Sequence, residues 1–482
     1  MRADFSPPGR GEERRHTPGS SELAVAFRRL GDLAVAHAAR GTGAPAFRRA
    51  PADALGRLCD IPDHGRPLDE ALETLLSDAM AYGMDTGHRR FFAFIPSPAS
   101  PLSWLGDLAA SIHNRHAGSE LQSEGATAVE RGLIRFLCDA VGYGAGSGGL
   151  FVSGGSMANL AGLCLARDRR LTRDERPRGV VYLTRETHAS VAKALRVIGF
   201  FDDQIRMIAT DDALRMEPAA LAEAVAEDRA NGARPFAVAA SAGTTNTGAI
   251  DPLAEIADIC ESEDLWLHVD GAYGASVALS PAHRACLTGI ERADSLSWDA
   301  HKWLFQTYGC GVLLARDAGQ LPGSFALTSD YLRDGAAEGV EPNFWDLGPE
   351  LTRPDRAARL WLTLQVMGRS GVGRAIARGI SLAEAAERAV RGTPGWRIVS
   401  PAQLAILVFR YAPEGLSDEA ADAVNAAAAR RLMEDGFAVV GTTRVGGRLC
   451  LRMCAIHPDA TDEDMEETVA RLDALAREIA AP

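Results

Sequence analysis

No two of the chain's eight cysteines stand at C-x-x-C spacing; they are scattered at 59, 138, 164, 260, 286, 310, 450 and 454, most of them within apolar runs. They read as small buried hydrophobes of a reducing compartment, which excludes a disulfide scaffold and a thiolate metal site. Basic charge is in deficit: 51 Lys and Arg against 64 Asp and Glu leave a formal charge of −13. That balance excludes a general nucleic-acid or anionic-membrane partner. The one dense basic run, RDRRLTRDERPR (167–178), carries acids and a proline and reads as a solvated loop. No apolar run approaches the length of a bilayer span, and MRADFSPPGRGEERRHTPGSSE at the N-terminus lacks a signal peptide's apolar core, so a cytoplasmic protein is expected. There is no solenoid repeat and no metal-spaced cluster of His, Cys and acids. A dinucleotide fingerprint is missing too: GYGAGSGG (142–149) precedes a strand, and GVGRAIARG (371–379) has no strand before it.

What is present is an ordinary globular composition, 46% hydrophobic and 24% charged, over 482 residues. That length implies two or three domains with a substantial core. Residues 1–85 read as a polar lead-in followed by a helical segment with Pro and Gly breaks. From about 127, short apolar strand candidates alternate with helices: GLFVSGG, GVVYLT, IRMIAT, FAVAASAG, LWLHVDGA, DSLSWDA and GCGVLLA. This pattern implies a mostly parallel α/β sheet, covered on both faces, over 86–370. Residues 371–482 turn to helix, LAILVFRYA, helix, FAVVGTTR, RLCLRMCAI and a last helix opened by TDED, a small C-terminal α+β domain whose final helix carries a capping box.

In open parallel sheets ligands collect at the carboxyl ends of strands, and four such ends carry polar residues. Ser153-Gly154-Gly155-Ser156 leads straight into a helix, where small residues and free N–H groups suit a phosphate, or simply a tight turn. His188 follows GVVYLT and opens a helix, as a cap or as a functional group. Asp270 ends LWLHVD, where an unpaired carboxylate is costly and a cation, such as a protonated ring nitrogen, is called for. Lys302 follows DSLSWDA; a desolvated lysine is a good nucleophile towards carbonyls, whereas a salt-bridged or snorkelling one is structural. A phosphate cradle, an acid and a lysine in this order match what pyridoxal 5′-phosphate requires.

The motifs HVDGAYGAS and DAHKWL, ordered with SGGSMANL, TRETHASVAKA, AGTTNTGAIDPL and LWLTLQVMG, resemble the pyridoxal-phosphate-dependent group II amino-acid decarboxylases, from about residue 75 to the end. The resemblance implies an aspartate-aminotransferase-like architecture (PLP fold type I) and a homodimer with its active site at the subunit interface. It implies a small-molecule amino-acid substrate, decarboxylated to an amine through a Schiff base on Lys302. By the same resemblance Asp270 faces the pyridinium nitrogen, His188 stacks on the ring and Ala272 packs on its other face. Gly155 and Ser156 then hold the phosphate, while Thr245, His301 and Asp299 lie near the cofactor. Tyr331, in SFALTSDYLRDGAAEGVEPNFWDLGPE, matches the loop tyrosine that protonates Cα, and Phe92, Pro96 and Arg353 match substrate-side positions. NRHAGSELQSEGATAVE departs from the family: Gly118 and Ser119, with Glu120 and Glu124, replace bulky and Pro positions and imply a roomier, more polar pocket. That departure keeps open, in specialised metabolism, oxidative deamination or β-elimination on a conjugated amino acid such as the S-glycosylated cysteines of lincosamide antibiotic pathways. A non-catalytic scaffold of the same fold would be expected to have lost Lys302 or Asp270.

Overall fold

The structure, a computed structural model, describes residues 18–59, 61–327 and 342–481. Among the five α-helices that precede the sheet in the described residues are α1 (Ser20–Ala39), α2 (Pro101–His113) and α3 (Glu120–Val141). Then strands and helices alternate, as the apolar runs require. They are β1 (Gly148–Val152), α4 (Gly155–Arg170), β2 (Gly179–Thr184), α5 (Ala189–Val197), β3 (Ile205–Ile208), α6 (Pro218–Ala230), β4 (Arg234–Ser241), α7 (Leu253–Ser262) and β5 (Trp266–Asp270). Strands β6 (Ser295–Asp299) and β7 (Gly311–Ala315) complete a seven-stranded sheet of order β1-β7-β6-β5-β4-β2-β3. Only β7 runs against the others. Strands β5, β6 and β7 are buried along their whole length, as sheets covered on both faces demand.

The helical course Ala357–Arg391, α8, leaves this domain and breaks at Gly368, whose φ of +66° is left-handed and open to glycine at little cost. Beyond it lie β8 (Trp396–Gln403), β9 (Ile406–Tyr411), α9 (Asp418–Glu434), β10 (Gly441–Val445), β11 (Arg448–Cys454) and α10 (Asp462–Ala480). The four strands form an antiparallel sheet of order β8-β9-β11-β10. Helix α10 carries the expected capping box: Asp464 N–H donates to Thr461 Oγ1 at 3.2 Å, and Thr461 N–H to Asp464 Oδ2 at 3.0 Å.

Two local expectations fail. FAVVGTTR is strand only from Gly441; Val439 instead bridges Phe91 in the N-terminal segment. Strand β8 has no counterpart among the expected strands, because WRIVSPAQ is polar, bulged and contains Pro401. A proline is tolerated there because β8 is a sheet edge.

Candidate active site

Lys302 sits three residues beyond β6, in a turn pinned by His301 N–H to Cys310 O (3.0 Å) and Lys302 N–H to Asp299 O (3.2 Å). Trp303 anchors the turn by stacking on Tyr273, with ring centroids 4.9 Å apart and planes within 7°. Phe305, two residues on, holds a left-handed φ of +62°, the kind of strain a binding site stores. Lys302 Nζ lies 3.1 Å from Asp299 Oδ2, at the floor of a small cleft also lined by His188, Ser241, Thr245, Asp270 and Ala272.

Asp270 ends β5, in register with Ser241 of β4 and Ser297 of β6. Its Oδ1 accepts from Ala272 N–H and Ser297 Oγ at 3.1 Å each, and its Oδ2 accepts from Asn159 Nδ2 at 2.9 Å. Burial pushes its proton affinity up, but the Lys302 charge and these donors outweigh burial and hold it below the ordinary carboxylate range. The carboxylate is therefore ionised and needs a cation.

The start of α4 is a cradle built from missing side chains. A Cβ at Gly155 would lie 2.9 Å from Asp299 Oδ2 and 3.0 Å from the Ala272 methyl; one at Gly154 would lie 3.1 Å from His301 Cε1. Gly311 Cα abuts Gly154 so closely that its own Cβ would come within 2.4 Å. Ser153 and Ser156 stay exposed at this helix start, where N–H groups point outward. Asp299 Oδ1 is buried with no hydrogen-bond partner among the described residues, although Oδ2 faces Lys302. His188 caps α5, its Nδ1 2.8 Å from Ser190 Oγ. His301 lies against Asp299 (3.6 Å) and Cys310 O (3.0 Å), and burial lowers its pKa.

Other expected positions fall elsewhere. Phe92 is packed in the core of the small domain, its backbone bonded to Val439 and Cys454, so it is a structural residue here. Pro96 is buried beside Ser97, whose hydroxyl donates to Gln306 O. Arg353 is wholly buried. It donates to Glu130 Oε1 (2.6 Å), Phe151 O (2.6 Å) and Ala117 O (2.7 Å), ties α3 to β1, and is not free for a substrate. Gly118 makes no room within this chain, because a Cβ there would meet His116 Cε1 at 2.5 Å and Leu351 O at 2.9 Å; Ser119 is fully buried. Close packing, not pocket volume, explains these small residues. Tyr331 lies outside the described residues.

The structure adds residues that the sequence reading missed. Arg452 of β11 is buried beside the cleft, donating from Nε to Thr245 O (2.8 Å) and Asn246 O (3.1 Å) and from Nη1 to Phe94 O. Its Nη2 is buried without a partner, and burial lowers its pKa. Phe94, exposed and at a left-handed φ of +54°, is held by that contact. No local signal marks Arg452, which lies some two hundred residues from Thr245 in a run that reads as plain strand.

Residues 58–412 match the family model described as the pyridoxal-dependent decarboxylase conserved domain. The chain is 40% identical over 422 residues to an aromatic-L-amino-acid decarboxylase of Bacillus atrophaeus, covering 87% of this chain and 88% of that one. It is 32% identical over 420 residues to an L-2,4-diaminobutyrate decarboxylase of Rhizobium meliloti (strain 1021), covering 87% and 84%. Among solved structures, that of Oryza sativa TDC with PLP and tryptamine superposes with a TM-score of 0.88 at 28% identity, covering 96% of this chain and 98% of that one.

Proposed function

The chain belongs to the pyridoxal-dependent decarboxylases, and from that premise we propose that it decarboxylates an L-amino acid with a bulky aromatic side chain to the corresponding amine, as a homodimer. It is a pyridoxal-phosphate-dependent lyase of amino-acid metabolism. The residues present fit that cofactor: an ionised Asp270 without a cation of its own beyond Lys302, a cradle at Gly154–Gly155 that a Cβ would fill, and the orphaned Asp299 Oδ1 beside it.

When bound, pyridoxal phosphate supplies an electron sink for the pair left as the Cα–carboxylate bond breaks. Lys302 is the attachment point, and the observation that carries this is one of number as well as place. The chain has only two lysines, and the other, Lys193, is exposed on α5. Asp270 would keep a ring nitrogen protonated, His188 and Ala272 would hold the ring between them, and Gly155 and Ser156 would hold the phosphate at the start of α4. Thr245 lines the cleft, and Asp299 and His301 lie beside Lys302. Arg452, a buried cation with no carboxylate partner among the described residues, is aimed to hold a carboxylate and so to orient the bond that breaks. The proton that replaces the carboxylate is assigned, on sequence alone, to Tyr331. Support for an aromatic side chain is the 40% identity to the Bacillus enzyme.

Trapping with borohydride followed by peptide mass analysis should place one adduct on Lys302 and none on Lys193, and Lys302→Ala should lack the visible absorbance. An amino-acid panel should then give carbon dioxide and amine in equal amounts with no peroxide. Peroxide and aldehyde in place of amine would move the reading to oxidative deamination; thiol release would move it to β-elimination.

A further inference from the structure

The hydrogen bonds behind Asp270 run as a chain through buried groups. Asn159 Nδ2 lies 2.9 Å from both Asp270 Oδ2 and Ser190 Oγ, and Ser190 Oγ lies 2.8 Å from His188 Nδ1. On its other side, Asn159 Oδ1 lies 2.9 Å from His268 Nε2. His268 Nδ1 lies 2.8 Å from Ser295 Oγ, which takes the indole Nε1 of Trp266 at 2.8 Å. Asn159, His268 and Ser295 are wholly buried, and Trp266 and Ser190 nearly so.

The chemistry of the two ends fixes the direction of every link. An ionised carboxylate only accepts, so the amide must turn its Nδ2 to Asp270 and its Oδ1 to His268. His268 Nε2 must then carry a proton. Burial lowers the pKa of this imidazole to about 4, so the ring is neutral and its Nδ1 is bare. Nδ1 therefore accepts the Ser295 hydroxyl proton, which leaves Ser295 Oγ to accept from Trp266, whose indole can only donate. The second amide hydrogen goes to Ser190 Oγ, whose own proton goes to His188 Nδ1. No donor or acceptor in the chain is left over. A flipped amide has almost the same shape, but it would set oxygen against carboxylate and N–H against N–H.

We propose that Asn159 is a positioning residue: Trp266, Ser295 and His268 form a one-way hydrogen-bond chain that locks its amide, so that one group holds both the Asp270 carboxylate and, through Ser190, the bare Nδ1 of His188. This rests on the roles given above to Asp270 and His188 towards the cofactor. A single link then ties the acid beneath the ring nitrogen to the histidine over the ring face, and neither can turn without the other.

Two measurements test it. In cofactor-free protein with ¹⁵N-labelled histidine, His268 should appear as the Nε2–H tautomer, protected from exchange; an Nδ1–H tautomer overturns the chain. Ser295→Ala breaks the chain out of contact with the cleft. It should abolish that single tautomer, shift the visible band of bound pyridoxal phosphate and raise its dissociation constant about tenfold, the equivalent of one buried hydrogen bond. Asn159→Asp, which sets a second carboxylate against Asp270, should do the same more strongly. A Ser295→Ala protein with the wild-type tautomer, band and dissociation constant overturns the proposal, and it decides alone if Asn159→Asp does not fold. A wild type with the stated tautomer that binds no pyridoxal phosphate would count against the cofactor roles and leave the chain standing.

Discussion

Arg353 and Arg452 are both buried guanidiniums, and their partners separate them. Arg353 faces a buried carboxylate, Glu130, whose own proton affinity is raised by burial and lowered by Arg353. Arg452 has three backbone carbonyls, an empty Nη2 and no carboxylate among the described residues. Removing one partner of a buried pair leaves the other charge stranded, so Arg353→Met should cost about 3–5 kcal/mol of stability. Arg452→Met should instead leave bound cofactor's spectrum alone and raise KM roughly 10- to 100-fold, the worth of a charge-assisted hydrogen bond. Thermal melts and steady-state kinetics on both variants separate the cases. An Arg452→Met enzyme with unchanged KM would remove Arg452 from substrate binding. The sequence points to neither distinction. Both arginines sit in ordinary local contexts, and their partners arrive from 202 to 236 positions away for Arg353 and 206 to 358 for Arg452.

At the scale of the element, α4 carries the site. Gly155, Asn159 and Gly162 follow at i, i+4 and i+7 and so share the face turned to β5 and β6. Gly155 admits the cradle, Asn159 reaches Asp270, and Gly162 lets the helix approach His268: a Cβ there would lie 2.7 Å from the imidazole Cε1 and Nδ1. Helix propensity alone favours alanine over glycine by about 1 kcal/mol, while forcing a methyl into a packed core costs about 1–3 kcal/mol. Gly162→Ala should therefore lower the melting temperature, whereas Gly132→Ala, exposed on α3 with open space around it, should raise it. A stabilised Gly162→Ala would show that the approach is looser than these distances say. The cradle motif and the strand ends were readable in the sequence because apolar runs, glycine turns and strand order are local signals. The edge strand β8 and the Gly368 break were not, since bulges and tertiary packing, rather than period, define them.

The molecule shows unmatched apolar surface outside the cleft. Leu105, Leu108 and Ile112 form an i, i+3, i+7 stripe on α2, each 44–64% exposed, and α1 buries none of its twenty residues although Leu23, Phe27 and Leu30 form a second stripe. His37 of α1 meets Trp104 of α2 edge-on, with ring centroids 5.5 Å apart, which sets the two stripes side by side. Trp361 and Val366 on α8, which packs against α2, extend the patch. Monomers rarely leave contiguous apolar faces of this extent open, and a stable dimer needs roughly 800 Å² from each partner. The homodimer proposed above would account for all three helices at once. Leu105→Glu with Ile112→Glu places charges that cannot be paired across a twofold axis, where each residue meets its own kind. Light scattering should find the wild type at twice the chain mass and the double variant at the chain mass, with unchanged far-UV circular dichroism. If the site is completed across the interface, the separated chains should retain cofactor binding at Lys302 yet lose decarboxylation. A fully active monomer would confine the whole site to one chain and leave the apolar stripes without an explanation.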